Sequence, residues 1–169
     1  MSETWLAQPA NFAVQIALSE LWKSYGIIPQ AVVGHSTGEA AAFYQAGVYS
    51  LYDATNIIIH RSRLQQKLMG TGTMLAVGLS EEEAQTFIKP FGQDVSIAAI
   101  NSKTAITLSG NVSALKKIEE EIKSAQLFAK FLSVGVPYHS AQMEAIKDEL
   151  LFSLKDIKAK KAIVPLYLT

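Results

Sequence analysis

The sequence predicts an α/β fold, with a parallel-sheet body into which a smaller βαββαβ subdomain is inserted. A helix pattern over residues 11–25 leads directly into a short apolar strand at 31–33, and this α/β step is typical of a parallel sheet. Residues 72–134 then show strand and helix patterns in the order βαββαβ. With 169 residues, 49% of them hydrophobic, the chain can bury a sizeable core.

The composition excludes several classes of function. Fifteen basic and fifteen acidic residues balance, which gives no electrostatic case for binding nucleic acid or an anionic membrane surface. The absence of cysteine excludes a disulfide framework, a thiolate metal site and a cysteine nucleophile, and the three histidines are too far apart for metal-ligand spacing. The sequence shows neither a secretory signal pattern nor an apolar run of membrane-spanning length. We therefore expect a cytoplasmic protein without a bound metal or cofactor.

The first predicted helix runs from Asn11 to Tyr25, because its apolar residues recur at close to helical spacing. Gln8-Pro9 is taken as the start signal and Gly26 as the stop signal. A strand from Ala31 to Val33 follows.

A G-x-S-x-G pentad, residues 34–38, joins this strand to a helix predicted from Glu39 to Ala46. In this context the pentad predicts a nucleophile elbow, a sharp turn that holds Ser36 in strained backbone geometry with its hydroxyl exposed. We expect that a Cβ at Gly34 or at Gly38 would clash where strand and helix nearly touch. The N–H groups of the new helix would face negative charge that develops beside Ser36. The alternative is a glycine-bounded turn with an ordinary hydroxyl.

Arg61 falls on the apolar stripe of the next predicted helix, which runs from Leu51 to about Met69. Ser50 and Asp53 form its predicted capping box. A guanidinium that points inward is costly unless an anion meets it. From the residues alone two explanations stay open: an internal ion pair, for instance with Glu39, and a role in binding substrate.

The pattern changes after residue 71, where the predicted insert begins. Its predicted strands cover 73–79, 95–100, 105–108 and 128–134, and its helices cover 81–91 and 112–123 behind caps at Ser80 and Asn111. The βαββαβ order is that of the ferredoxin-like split motif. We therefore predict an incomplete α/β body made of residues 1–71 and 135–169, with a ferredoxin-like subdomain at 72–134. A helix from about Gln142 to Leu154 and a strand from Ile163 complete the body.

A serine nucleophile needs a base within hydrogen-bond reach. His139 is the best candidate by elimination, because it lies in a proline-led loop where the insert rejoins the body. His35 is adjacent to Ser36 and is expected to point away and pack, and His60 falls on the polar side of its helix.

No aspartate between Ser36 and His139 is a convincing third member of a triad. Asp53 is explained as a capping residue, and Asp94 precedes a strand in a turn. The residues therefore favour a dyad in which a backbone carbonyl orients the imidazole.

Several short motifs occur in a fixed order along the chain: Gly34-His35-Ser36-Thr37-Gly38-Glu39, Arg61-Ser62-Arg63, Asn101-Ser102, Leu108-Ser109-Gly110, and Tyr138-His139-Ser140 with Met143. Together they resemble the acyltransferase domain of modular polyketide synthases and the discrete malonyl-CoA:acyl carrier protein transacylases of fatty acid synthesis. The resemblance extends from Gln8-Pro9 to Thr169. It implies an α/β-hydrolase-like body with a ferredoxin-like insert.

The resemblance assigns a role to each matching residue. Ser36 would take a malonyl-type acyl group from coenzyme A and pass it to the phosphopantetheine thiol of an acyl carrier protein, with His139 as the base. Arg61 would pair with the free carboxylate of the acyl group, and the backbone N–H of Thr37 would stabilise the oxyanion. It also implies further substrate-binding residues, namely Tyr138, His35 and Asn101. Acyl-CoA, acyl carrier protein and neighbouring synthase domains would be the partners.

The residue before the base histidine bears on the substrate. The family tends to place Phe there for malonyl units and Ser for methylmalonyl units. Tyr138 is bulky and would crowd a 2-methyl branch, so we expect a preference for malonyl.

The sequence also departs from the family. It contains no Gly-Gln-Gly loop, whose glutamine supplies the second oxyanion N–H in the family, and it stops before the segment that usually steadies the histidine. We therefore expect the isolated chain to be weakly active or inactive. Two alternatives to the transacylase remain: a serine esterase or patatin-like hydrolase with the same elbow, and an inactive truncated fragment.

Overall fold

A computed structural model describes residues 3–168 of the chain. They form two compact units, one made of residues 3–64 and 149–168 and the other of residues 65–148. The predicted α/β class is confirmed, with a parallel sheet in the first unit and an antiparallel sheet in the second. The boundaries between the two units follow residues 64 and 148. The predicted insert was shorter and contained only the βαββαβ elements at 72–134.

The described residues form six α-helices and six β-strands. In order they are α1 (Thr4–Ser24), β1 (Val32–Val33), α2 (Glu39–Gln45), α3 (Leu51–Gln66), β2 (Thr73–Val77), α4 (Glu81–Ile88), β3 (Val95–Ser102), β4 (Ala105–Gly110), α5 (Val112–Ser124), β5 (Ala129–Phe131), α6 (Lys147–Ser153) and β6 (Leu166–Tyr167). Short 3-10 helices cover Ser36–Gly38, Lys89–Asp94 and Ala141–Ile146.

The parallel sheet of the first unit consists of β1 and β6. Val32 pairs with Leu166 and Val33 with Tyr167, and the Val32 N–H donates to the Pro165 carbonyl at 2.9 Å. The last strand is shorter than the predicted run from Ile163, because Pro165 has no N–H to donate and the Ile163 N–H bonds to the Ala46 carbonyl instead. The core of this unit packs α1 against α2 and α3, through Phe12, Ile16, Ala40, Ala41, Ala54 and Ile58.

Helix α1 begins at Thr4, so the predicted start near Asn11 was wrong. Pro9 lies inside the helix, where its missing N–H removes one bond close to the N-terminus. The N–H groups of Leu6 and Ala7 both bond to the Glu3 carbonyl, which starts the helix upstream of the proline. Thr4 and Gln8, one helical turn apart, are both buried, so the first turns of α1 pack against the core.

The sheet of the second unit has the strand order β3-β4-β2-β5, with every neighbouring pair antiparallel. This is the order that a ferredoxin-like βαββαβ motif produces, as predicted. Helices α4 and α5 cover one face, and the shared core is fully buried at Leu75, Leu108, Leu115, Ile118 and Ile122. Both predicted caps are present: the Ser80 hydroxyl accepts from the Glu83 N–H, and Asn111 accepts from the Ser113 N–H.

Other boundaries differ by a turn or less. α3 ends at Gln66, and the predicted helix at 142–154 begins as a 3-10 helix before α6. Within residues 3–168, no helix combines the length and the apolar character that crossing a membrane requires.

Candidate active site

Ser36 lies at the elbow between β1 and α2, with φ of 53°. This left-handed backbone confirms the predicted strain, because a non-glycine residue rarely adopts it. The Gly38 N–H donates to the His35 carbonyl at 3.0 Å and fixes the turn. A Cβ at Gly34 would lie 2.5 Å from the Gly38 carbonyl oxygen, so glycine is required there. The elbow thus holds Ser36 in a left-handed conformation between β1 and α2.

The prediction for Gly38 was wrong. This residue has helical dihedral angles, and a Cβ would meet only the Gln15 side chain at 3.5 Å, an ordinary contact. Of the two glycines of the pentad, only Gly34 lies where strand and helix touch.

Arg61 points from α3 toward the elbow. Its Nη2 donates to the Ser36 Oγ and its Nη1 to the Thr37 Oγ1, each at 3.4 Å. Contacts of this length are weak, so an incoming anion can replace them at small cost. Glu39 forms no ion pair within the part of the chain that the structure describes, which removes the proposed Glu39 partner as the reason for the inward arginine.

The hydroxyl and the guanidinium share a cavity of about 230 Å³. Ser36, Thr37, Glu39 and Arg61 form its polar side, and Phe43, Tyr49 and Ile58 contribute apolar walls. The Arg61 guanidinium beside the Ser36 hydroxyl offers a partner to a short acyl group with an anionic end, since opposite charges attract more strongly in a partly buried site than in water.

Gln8 is a member of the site that the sequence analysis missed. Its side chain is only 6% exposed, and its Oε1 accepts a hydrogen bond from Arg61 Nη1 at 2.5 Å. A signal was present, because Gln8 continues the i, i+4 stripe of Phe12 and Ile16 on α1. It was overlooked because the predicted helix began three residues later.

The second unit carries His139, Tyr138 and Asn101. His139 is exposed, with φ of 59°, and Tyr138 before it is half-buried. Two contacts hold their loop: the Ser140 hydroxyl donates to the Pro137 carbonyl at 2.7 Å, and the Tyr138 N–H donates to the Val136 carbonyl at 3.0 Å. On β3, the side-chain amide of Asn101 donates to the Thr107 hydroxyl at 2.9 Å.

Ser36, Thr37 and Arg61 are therefore brought together within the first unit, while the predicted base and its neighbours belong to the second. The Ser36–His139 dyad stays a prediction. His35 is exposed, so its predicted packing role was wrong, and it lines a different cavity with Gly34 and Gly38. No group of three or more potential metal ligands converges among residues 3–168.

Comparison with known proteins identifies the family. The model of the acyl transferase domain family matches residues 1–169. The chain is 41% identical to polyketide synthase GfsB of Streptomyces halstedii over 97% of its length and 40% identical to probable polyketide synthase 44 of Dictyostelium discoideum over its whole length. It spans only 3% and 6%, respectively, of those much longer proteins.

Solved structures agree with this result. The acyltransferase domain from module 8 of the salinomycin polyketide synthase matches 98% of this chain with a TM-score of 0.94 and 32% identity, and the chain covers 39% of it. The malonyl CoA-acyl carrier protein transacylase of Coxiella burnetii matches 97% with a TM-score of 0.91 and 30% identity, and the chain covers 54% of it. These matches do not favour the esterase or patatin-like alternative. The chain belongs to the acyl transferase domain family.

Proposed function

We propose that the chain transfers a malonyl-type acyl group from coenzyme A to the phosphopantetheine thiol of an acyl carrier protein within a polyketide synthase. The observation that carries this proposal is the 3.4 Å contact between Arg61 Nη2 and the Ser36 Oγ at the elbow. A nucleophile with a guanidinium beside it suits an acyl group that ends in a carboxylate, because the planar fork of N–H donors pairs with both carboxylate oxygens. An esterase acting on neutral esters has no use for that charge.

The proposed reaction has two halves. The Ser36 oxygen attacks the thioester carbonyl while the His139 imidazole accepts the hydroxyl proton. The tetrahedral intermediate collapses, the C–S bond breaks, and His139 returns the proton to the coenzyme A thiolate. The carrier-protein thiol then attacks the acyl-serine ester, giving its proton to His139, which returns it to Ser36 Oγ. The backbone N–H of Thr37 would stabilise each oxyanion, a contribution of roughly 2.7–4 kcal/mol for one donor.

The test is the intact mass of the protein after incubation with malonyl-CoA. We expect one malonyl adduct, formed slowly because the sequence has no Gly-Gln-Gly loop, on the wild-type chain and on Ser24→Ala, a control at an exposed serine of α1. We expect no adduct on Ser36→Ala. An adduct that persists in Ser36→Ala contradicts the proposal. No adduct with any acyl-CoA also contradicts it and would support the inactive fragment instead. Faster hydrolysis of p-nitrophenyl esters than acyl transfer would support the esterase instead.

Arg61 should decide which acyl group is loaded. We expect Arg61→Ala to lose malonyl loading and to retain acetyl loading, because only the malonyl group has a free carboxylate to pair. The ratio of malonyl to acetyl adduct, measured in a mixture of the two acyl-CoA substrates, reports this. An unchanged ratio would mean that Arg61 is structural.

The preference for malonyl over methylmalonyl is also proposed, on the bulk of half-buried Tyr138 before His139. Tyr138→Ser should raise methylmalonyl loading relative to malonyl loading, whereas Tyr138→Phe, which keeps the ring, should not. The same mass measurement reads both ratios.

The proposed partners are acyl-CoA, an acyl carrier protein and neighbouring synthase domains. The relatives support the proposal of neighbouring domains. They are polyketide synthases, and this chain matches only a small part of the length of each. The proposed location is the cytoplasm, because thiol substrates stay reduced in that compartment.

A further inference from the structure

We infer that Gln8 is a positioning residue, which orients the Arg61 guanidinium and thereby sets the preference for carboxylated acyl groups. The inference rests on the proposed function for the identity of the acyl group. Its basis is the hydrogen bond from Arg61 Nη1 to Gln8 Oε1, which links α1 to α3 across 53 residues of sequence.

Gln8 occupies a buried position, where a polar side chain costs free energy of folding. It lies on the buried stripe of α1 with Thr4, Phe12 and Ile16, and only 6% of it is exposed. An amide buried without a hydrogen bond costs free energy, whereas an apolar side chain would pack there without that cost. The bond from Arg61 to the Gln8 carbonyl oxygen contributes to offsetting this cost, and it couples the amide to the guanidinium.

Three hydrogen bonds of Arg61 involve its two terminal nitrogens. Nη1 donates to Gln8 and, more weakly, to Thr37, while Nη2 faces the Ser36 Oγ. Because the guanidinium is a rigid planar fork, fixing Nη1 also fixes the direction of Nη2. Gln8 thus aims the fork at the elbow, where the acyl group would be attached.

An amide is suited to this task because it accepts a hydrogen bond without adding negative charge. A glutamate at the same place would form a partly buried ion pair with Arg61 and would compete with the carboxylate of a substrate. Gln8→Glu, which keeps the shape and changes the charge, is therefore the informative variant.

The first experiment is independent of enzyme activity. Free malonate and free acetate are titrated into the whole chain while the Nε–Hε NMR signal of Arg61, assigned with Arg61→Lys, is followed. We expect malonate to shift the wild-type signal at lower concentration than acetate does. In Gln8→Glu the malonate affinity should fall by about tenfold or more, the loss expected when an ion pair competes for the guanidinium. Asn11→Asp, an amide-to-acid change at an exposed position of α1, should bind malonate like the wild type.

The second readout is the motion of the guanidinium itself. In Gln8→Leu, which lacks the hydrogen-bond acceptor, rotation of the Arg61 guanidinium should become faster and its Nη signals should average. If the leucine variant does not fold, Gln8→Asn, whose shorter side chain draws the acceptor away from Arg61, is measured instead and should show the same change. Equal malonate affinity in the wild type and Gln8→Glu would overturn the inference. So would unchanged guanidinium rotation in the variants without the Gln8 acceptor, or an Arg61 signal that malonate does not move.

Acylation then separates this inference from the proposed function. Gln8→Glu should lower the ratio of malonyl to acetyl adduct on Ser36 by about tenfold while acetyl loading persists. A merely structural role would lower both adducts equally. If the wild-type chain takes no acyl group at all, the proposed function fails, and the malonate titration still decides whether Gln8 positions Arg61.

Discussion

At the scale of single residues, backbone strain coincides with the two residues assigned to the chemistry. Among residues 3–168, the non-glycine residues with positive φ are Ser36, His139 and Gln126. Gln126 follows the end of α5, where a left-handed residue commonly terminates a helix. Ser36 and His139 have no such explanation, and strain of this kind persists only where the surrounding structure enforces it. The strain therefore supports a functional role for each of them.

The strain at Ser36 predicts a difference between two variants that both lack the hydroxyl. Ser36→Gly should be more stable than Ser36→Ala by about 1 kcal/mol, because glycine adopts positive φ without the steric cost that alanine keeps. The midpoints of urea denaturation measure this difference. Equal midpoints would show that the elbow relaxes and stores no strain.

The two glycines of the pentad predict opposite outcomes. Gly34→Ala should destabilise the chain by about 1–3 kcal/mol, because its Cβ would overlap backbone atoms that cannot move aside. Gly38 has helical dihedral angles, and a Cβ there would make only an ordinary contact, so Gly38→Ala should be neutral or slightly stabilising. Thermal denaturation of the matched pair is the measurement, and similar losses for both would contradict the assigned geometry.

At the scale of elements, the sequence predicts what is decided locally. The caps at Ser80 and Asn111 were predicted because a cap needs only residues two or three positions apart. The start of β6 was not predicted correctly, because it depends on pairing between segments far apart in sequence. Gln8 was missed because the predicted helix began after it, and its partner Arg61 lies on another helix. The inward direction of Arg61 follows from periodicity, but the residue it meets does not.

The capping box of α4 predicts a dependence on pH. The pKa of Glu83 is lowered because its carboxylate accepts hydrogen bonds from the backbone N–H and the hydroxyl of Ser80. The stabilisation is therefore present above the ordinary pKa of 4.5 and is lost as the pH falls through the lowered value. Glu83→Gln should destabilise the chain at pH 7 and have little effect well below pH 4.5, as read from thermal midpoints at both values.

The control for this prediction is Glu82→Gln, the same change at the preceding exposed position of α4. It removes an equal charge from the first turn of the helix but none of the contacts to Ser80. An equal effect of the two changes would assign the stabilisation to the helix dipole rather than to the capping box.

At the scale of the whole molecule, the hydrophobic core of the second unit is formed entirely by residues of that unit. Every buried residue of that core lies between Leu75 and Ala129: on the antiparallel sheet, on the helices α4 and α5, or, for Leu79, in the connection between β2 and α4. A single helix-covered sheet of this size satisfies its own backbone hydrogen bonds and buries its own apolar face. This organisation explains why the βαββαβ pattern was recognisable from sequence without reference to the rest of the chain.

The core of the second unit predicts that residues 65–148 fold when they are produced alone. The fragment should give the dispersed amide NMR signals of a β-sheet and should unfold cooperatively in urea. Leu108 is fully buried in its centre, so Leu108→Ala should cost the fragment about 2–5 kcal/mol, which is comparable to the whole stability of a small domain. Lys116→Ala, at an exposed position of α5, should leave the midpoint nearly unchanged. A fragment with collapsed amide dispersion would show that this core depends on residues outside 65–148.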